Sequence, residues 1–245
     1  MTFARPHHRQ VARVLESLDA ELLRECGCWF GGGTAIALRF GEFRESLDID
    51  FVVSDAVGFR TLRQRLRGAH DLSGLTRQGH RPFPAMHELR ADQYGIRGFV
   101  DVDGTAIKLE IVSEARVVLE APRRCDEICT IATLRVGDLA TTKLLANVDR
   151  WADDSVFARD AIDLAFMPLP PRVLAPALEK AQVAYGRDVI VALEQALRSL
   201  RERNGWLPRC IAALSIAEPP AAVVQRLRRL ERRLAAAATS MEAGP

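Results

Sequence analysis

Phe30-Gly31-Gly32-Gly33-Thr34-Ala35-Ile36-Ala37-Leu38-Arg39, followed by Arg44-Glu45-Ser46-Leu47-Asp48-Ile49-Asp50-Phe51, is the stretch that decides how this chain reads. Cys28-Trp29-Phe30 is a short apolar run stopped by glycines, the pattern of a strand running into a turn. Thr34 to Phe40 consists of good helix formers and ends at Gly41. A glycine turn between a strand and a new helix lets a phosphate come close to the backbone. The helix start adds free N–H groups and the positive end of its dipole. Gly32, Gly33 and Thr34 are therefore the candidate phosphate cradle, with the Thr34 hydroxyl as an extra donor. Leu47 to Val53 alternates as a strand, with Leu47, Ile49 and Phe51 on one side and Asp48, Asp50 and Val52 on the other. Two bare carboxylates on one strand face repel each other. A divalent cation removes the conflict, and Mg²⁺ suits oxygen ligands shared with substrate phosphates.

Working outward, Arg97 to Val102 and Thr105 to Val112 are two alternating runs joined by Asp103-Gly104, a strong hairpin signal. The second run places Lys108 and Glu110 on the face opposite Ile107, Leu109 and Ile111. If this strand lies beside the Asp48–Asp50 strand, Glu110 completes a two-metal cluster that activates a hydroxyl and clamps a leaving pyrophosphate. Asp101 is the fallback third carboxylate. Each piece alone has a plainer reading: a turn, a solvated strand face, an exposed Lys108–Glu110 pair. Their succession favours chemistry, because unpaired charge near a core is expensive.

Residues 9–26 read as one amphipathic helix and 56–68 as an Arg-rich one, while 70–95 has no clear period. From about residue 134 the texture is helical: Asp138–Arg150, Ser155–Phe166, Arg172–Tyr185, Asp188–Arg203 and Pro219–Ala238, with a frayed tail from 239. The expected fold is therefore α+β: residues 1–132 as a mixed domain with a small sheet, then 133–245 as a helical bundle.

Composition fits a folded protein: 245 residues, 48% hydrophobic, 27% charged. A net charge of +2 creates no global field demanding nucleic acid. No apolar run is long enough to span a membrane, and the first nine residues hold no apolar signal core, so a cytoplasmic protein is expected. Only Lys108, Lys143 and Lys180 are lysines among 34 basic residues, which makes each worth inspecting.

The glycine turn followed by alternating aspartates resembles the nucleotidyltransferase superfamily, whose small-sheet domain is polymerase-β-like. Gly-Gly-Thr-Ala-x-Ala-Leu at 32–38 and Arg-x-Ser-x-Asp-x-Asp at 44–50 are similar to the AbiEii/AbiGii-type abortive-infection toxins. So are Lys143 in Asp138–Ala146 and Arg159-Asp160-Ala161-Ile162-Asp163-Leu164. The resemblance covers roughly residues 25–170. It implies transfer of a nucleoside monophosphate from a Mg²⁺-bound NTP to a hydroxyl, with the helical part closing the nucleotide cleft. It also implies a toxin role, a cognate antitoxin, and an RNA acceptor such as a tRNA 3′ end. Asp48, Asp50 and Glu110 would hold two metal ions, although the superfamily more often has Asp where Glu110 stands. Lys143 would neutralise triphosphate charge. Arg44 and Ser46 would brace the loop or meet phosphate, and Asp160 and Asp163 would orient Lys143 or Arg159, or meet base or ribose; the plainer reading of the two aspartates is a surface ion-pair helix with Arg159 or Arg150. Alternatives are a small-molecule (aminoglycoside-type) nucleotidyltransferase, favoured by an acidic acceptor pocket, and a non-catalytic binding module.

The remaining residues carry weaker signals. Cys26, Cys28, Cys125 and Cys129 lack the usual zinc spacing and, with Cys210, read as reduced thiols. His80 and His87 are loop residues. Trp29, Trp151 and Trp206 read as core. Arg226, Arg228, Arg229, Arg232 and Arg233 make the last helix basic, and Arg60, Arg63, Arg65 and Arg67 form a second basic cluster, either of which could track a phosphate backbone.

Overall fold

The computed structural model describes residues 2–242, with side chains to Thr239. The chain forms two compact units: one takes in the chain to Glu42 and Ser46–Arg135, the other Phe43–Glu45 and the chain from Val136 onward.

The first unit opens with α1 (Pro6–Ser17) and α2 (Ala20–Glu25). The single helix expected over 9–26 is broken. Leu18 leaves the helix to pair with Thr76, the Asp19 N–H donates to the Leu75 carbonyl at 2.7 Å, and the Asp19 carboxylate caps α2 by accepting from the Leu22 N–H at 3.0 Å. Next come β1 (Cys28–Gly31), α3 (Gly32–Arg39), β2 (Ile49–Val53) and α4 (Ala56–Leu66). The unit continues with β3 (Arg90–Ala91), β4 (Gly95–Val102), β5 (Thr105–Ser113), β6 (Glu127–Ile128) and β7 (Ile131–Ala132). β2 is shorter than expected: Leu47 lies outside it and is 53% exposed, so Asp48 sits just before the strand.

Five strands make one mixed sheet in the order β1-β2-β5-β4-β3. β1 and β2 are antiparallel, β2 and β5 parallel, β5 and β4 antiparallel. The β4–β5 turn is Asp103-Gly104, both with positive φ (53° and 82°), as a two-residue hairpin needs. One sheet face is core: Ile49, Phe51 and Val53 of β2, Ile107, Leu109 and Ile111 of β5, and Ile96, Val100 and Val102 of β4 are buried. Burying each such side chain is worth about 1.5–3 kcal/mol. The other face carries Asp50, Lys108, Glu110, Arg97, Phe99 and Asp101, none of them buried.

The second unit contains α5 (Val136–Arg150), α6 (Arg159–Phe166), α7 (Pro171–Tyr185), α8 (Asp188–Glu202), α9 (Trp206–Ala213) and α10 (Pro220–Glu242). The helix expected over 155–166 starts late, because Phe157 and Ala158 both take left-handed backbone (φ 53° and 49°) before α6 begins. α9 was not expected. α10 packs Val223, Leu227, Leu230 and Leu234, the stripe seen in the sequence. It runs to Glu242, past the expected fraying point, and residues 243–245 lie outside the described residues. Phe43 stacks on Phe166 at 4.0 Å between ring centroids, and the Glu45 N–H donates to the Leu214 carbonyl, so this short loop belongs to the helical unit. Trp29 and Trp206 are buried, but Trp151, expected in the core, is 37% exposed in the turn after α5.

Candidate active site

Asp50 and Glu110, two of the candidate catalytic residues of the first unit, are neighbours on the open face of the sheet, and Asp48 stands just before the first residue of β2. Register places Gly31 opposite Asp50 on one side and Glu110 opposite Asp50 on the other. Glu110 in turn faces Arg97 of β4. Residues far apart in sequence thus become direct cross-strand neighbours with side chains on one face.

The glycine turn is built against this face. Gly32 has φ +69°, and a Cβ there would stand 2.1 Å from Asp50 Oδ2. Only glycine lets the turn come this close, so the start of α3 and the Asp50 carboxylate form one cradle. No side chain caps α3, which leaves its first amides to other acceptors. Thr34 is turned inward. It is fully buried and its hydroxyl donates to Ser46 Oγ at 2.9 Å. The Ser46 N–H donates to His8 Nε2 at 3.2 Å, and His8 Nδ1 donates to Glu42 Oε1 at 2.8 Å. Thr34 and Ser46 therefore tie the segment before Asp48 to α3 and α1.

Glu110 is strongly engaged. Its Oε2 accepts from Lys108 Nζ at 2.7 Å and its Oε1 from Arg97 Nε at 2.9 Å. Burial alone would raise its pKa, but Lys108 and then Arg97 outweigh it and hold the carboxyl below its ordinary value. Asp101, the fallback, accepts from the Gly104 N–H at 2.7 Å and so stiffens the hairpin turn. Among the described residues, no group of three or more His, Cys, Asp or Glu side chains stands together as a ready metal set. The donor chemistry at Asp48 and Asp50, two half-buried carboxylates beside a glycine cradle, fits a hard oxygen-seeking cation.

The residues picked out in the second unit form a buried ion network. Asp163, fully buried, accepts from Arg44 Nε at 2.6 Å and Nη2 at 2.8 Å, and pairs with Lys143 Nζ at 2.8 Å. Lys143 also donates to Asp160 Oδ1 at 2.9 Å, and Asp160 is gripped by Arg150. Burial would raise both aspartates. Lys143 with Arg150 outweighs it at Asp160, and Arg44 with Lys143 at Asp163, so both stay below the usual carboxylate range. Asp160 and Asp163 share a helix face as their spacing requires, and the left-handed pair Phe157–Ala158 sets where that face begins. The ammonium expected to meet a triphosphate is thus held between two aspartates, and Arg44 is bidentate on one of them.

Two participants, Arg97 and Asn147, were missed in the sequence. Arg97 shows its role only through cross-strand register. Asn147 shares a stripe with Lys143 and Arg150 (i, i+4, i+7), and that spacing could have flagged it; the Arg150 pair read from the sequence is present on Asp160, but Asp160 is buried and not on the surface. Asn147 is buried, and its amide nitrogen has no hydrogen-bond partner among the described residues. His80 and His87 are exposed. All five cysteines are free thiols, and only Cys125 is exposed.

A glycine turn seated on an Asp-x-Asp strand, a carboxylate on the adjoining parallel strand, and a following helical unit define a nucleotidyltransferase. The signature described as nucleotidyl transferase AbiEii toxin, of a type IV toxin–antitoxin system, matches residues 13–236. The chain belongs to that family. Two solved proteins of Helicobacter pylori share the fold. One, described as a candidate nucleotidyltransferase, is 16% identical with TM-score 0.53 over 96% of this chain and 95% of that chain. The other, JHP933, is 15% identical with TM-score 0.53 over 99% of both chains. MenT4, a nucleotidyltransferase toxin of Mycobacterium tuberculosis H37Rv, aligns at 16% identity with TM-score 0.49 over 94% of this chain and 86% of that chain. No curated protein matches. Among the described residues, no helix is long and apolar enough to cross a membrane.

Proposed function

We propose that this chain transfers a nucleoside monophosphate from a Mg²⁺-bound NTP to the terminal hydroxyl of an RNA such as a tRNA, in the cytoplasm, as the toxin of a pair with a cognate antitoxin. The observation that carries the proposal is the line Gly31/Gly32–Asp50–Glu110 across three elements of one sheet. Asp48 and Asp50 would hold Mg²⁺, which when bound neutralises phosphate charge and sharpens the acceptor hydroxyl as a nucleophile. The Gly32 and Gly33 amides receive phosphate oxygens at the start of α3. The acceptor oxygen bonds to Pα as the Pα–O–Pβ bond breaks in line. Pyrophosphate carries away the electron pair, and the hydroxyl proton passes to a carboxylate of the face or to water.

An RNA acceptor is supported by the strand beyond Glu110, β4. Arg97 and Phe99, the latter 48% exposed, stand on the same strand face. A cation beside an exposed aromatic suits a phosphate and a stacked base. The test incubates purified protein with Mg²⁺, each α-³²P-labelled NTP in turn, and total tRNA, with the Asp48→Ala, Asp50→Ala double variant as control. Label on RNA that the double variant loses is the expected result. Label only on small hydroxyl compounds, or none with any NTP, refutes the RNA reading. Lys143→Met in the same assay tests whether that ammonium serves the triphosphate.

A further inference from the structure

The open face of the sheet already contains a cation among its carboxylates. Lys108 is one of three lysines in a chain that otherwise uses arginine. Its compact ammonium lies 2.7 Å from Glu110 Oε2, while Arg97 takes the other oxygen of the same carboxylate at 2.9 Å. Asp50 is the register partner of Glu110 on the adjoining strand, and Asp48 stands just before that strand. A plain surface pair would need one cation for one carboxylate. Here Glu110 has two, one on each carboxylate oxygen, and Arg97 is shared with Asp92 at 3.7 Å.

We propose that Lys108 is the resident cation of this cluster: it supplies at the Glu110 side the charge that a second metal ion would otherwise bring. The chain then takes up one divalent ion, at Asp48 and Asp50, and the carboxylate face is stable without metal. Lys108 is a positioning residue, holding Glu110 away from metal. The inference rests on the reading of Asp48 and Asp50 as metal ligands.

The test counts Mn²⁺ bound by the purified full chain with electron paramagnetic resonance, and melts the same proteins in EDTA and in excess Mg²⁺. Wild type and Lys108→Arg are expected to bind one ion per chain and to melt nearly alike in EDTA. Lys108→Met is expected to bind a second ion at least about tenfold more tightly than wild type does. It should melt lower than wild type in EDTA and recover with Mg²⁺. Lys108→Met together with Glu110→Gln restores the balance of charge and should again bind one ion. Two ions on the wild type, or a Lys108→Met variant matching wild type in both count and EDTA melting, overturns the assignment. If Lys108→Met does not fold at all, the wild-type count alone decides it. A single Mn²⁺ that is lost in Asp48→Ala, Asp50→Ala, with no nucleotide transferred, upholds Lys108 and sinks the reaction. Transfer accompanied by two bound ions does the reverse.

Discussion

Replacing Asp163 by alanine removes the acceptor on which the buried network of the helical unit turns. The carboxylate receives two bonds from Arg44 and one contact from Lys143, all between 2.6 and 2.8 Å, with no solvent exposure. After the change, Lys143 keeps Asp160 at 2.9 Å and Arg44 keeps the Glu45 carbonyl at 2.7 Å. Lys143 and Arg150 would then share the Asp160 carboxylate, and Arg44 would have lost its bidentate partner. Removing one partner of a buried pair costs about 3–5 kcal/mol, because the charge left behind cannot recover its hydration. With a urea m-value of about 2 kcal/mol/M, the unfolding midpoint should fall by roughly 1.5–2.5 M. Far-UV circular dichroism in urea reads it directly. The combined change Arg44→Met, Asp163→Leu removes charge and countercharge together. It should lose much less than the two single changes added, since an apolar replacement of a buried pair is often near neutral. A midpoint shift in Asp163→Ala below about 0.3 M, or full additivity in the combined variant, would refute the network as a structural unit.

Other consequences follow from the same geometry. Gly32→Ala puts a Cβ 2.1 Å from Asp50 Oδ2 at φ +69°. Backbone strain of about 1–2 kcal/mol leaves the fold in place, but displacing Asp50 by ångström distances should cut nucleotide transfer about 10²-fold or more, as a transfer assay and a melt on one preparation would show. Asp160 and Asp163 have folded pKa values below the ordinary 3.8, so their stabilisation is complete above about pH 4 and is lost as pH falls through the folded values. Urea midpoints at pH 5, 4 and 3 should therefore decline, and decline less in Arg44→Met, Asp163→Leu. His8 is held neutral by burial, with Nε2 accepting from the Ser46 N–H, and its pKa is lowered. Its contribution is present above pH 6.5 and lost as pH falls below it. A loss of stability between pH 6.5 and 5 in wild type that is absent in His8→Gln would bear this out; equal slopes would refute it.

How far the sequence could be read depends on how local each cause is. The turn from β1 into α3 and the β4–β5 hairpin were legible because Gly32 and Asp103-Gly104 need positive φ, and that need is written in residue type. The alternation of β2 was legible from period alone, although its first two residues were not, since pattern cannot say where pairing with a neighbour stops. The β6–β7 hairpin turns through Cys129 and Thr130, both left-handed and neither a usual turn residue, so no signal announced it. α9 hides behind Gly205 and an internal Pro208. The break at Leu18 is a tertiary event, fixed by Thr76 and Leu75 from a region with no period of its own.

The site divides in the same way. Asp48, Asp50 and the glycines announce themselves by spacing, because phosphate and metal chemistry impose it within twenty residues. What Glu110 does is set by which strand lies beside β5 and in what register, and that cannot be read along the chain. Sequence gives Lys108 and Glu110 as neighbours on one face. Register adds Arg97 from one side and Asp50 from the other, and turns a pair into a cluster. Arg44 makes the same point across 119 residues. The segment 44–50 alone makes Arg44 a natural candidate for phosphate, whereas its guanidinium is bidentate on Asp163. A positive residue beside a catalytic motif therefore has two physical uses, to meet the substrate or to hold the motif's own frame, and burial with a carboxylate partner tells them apart.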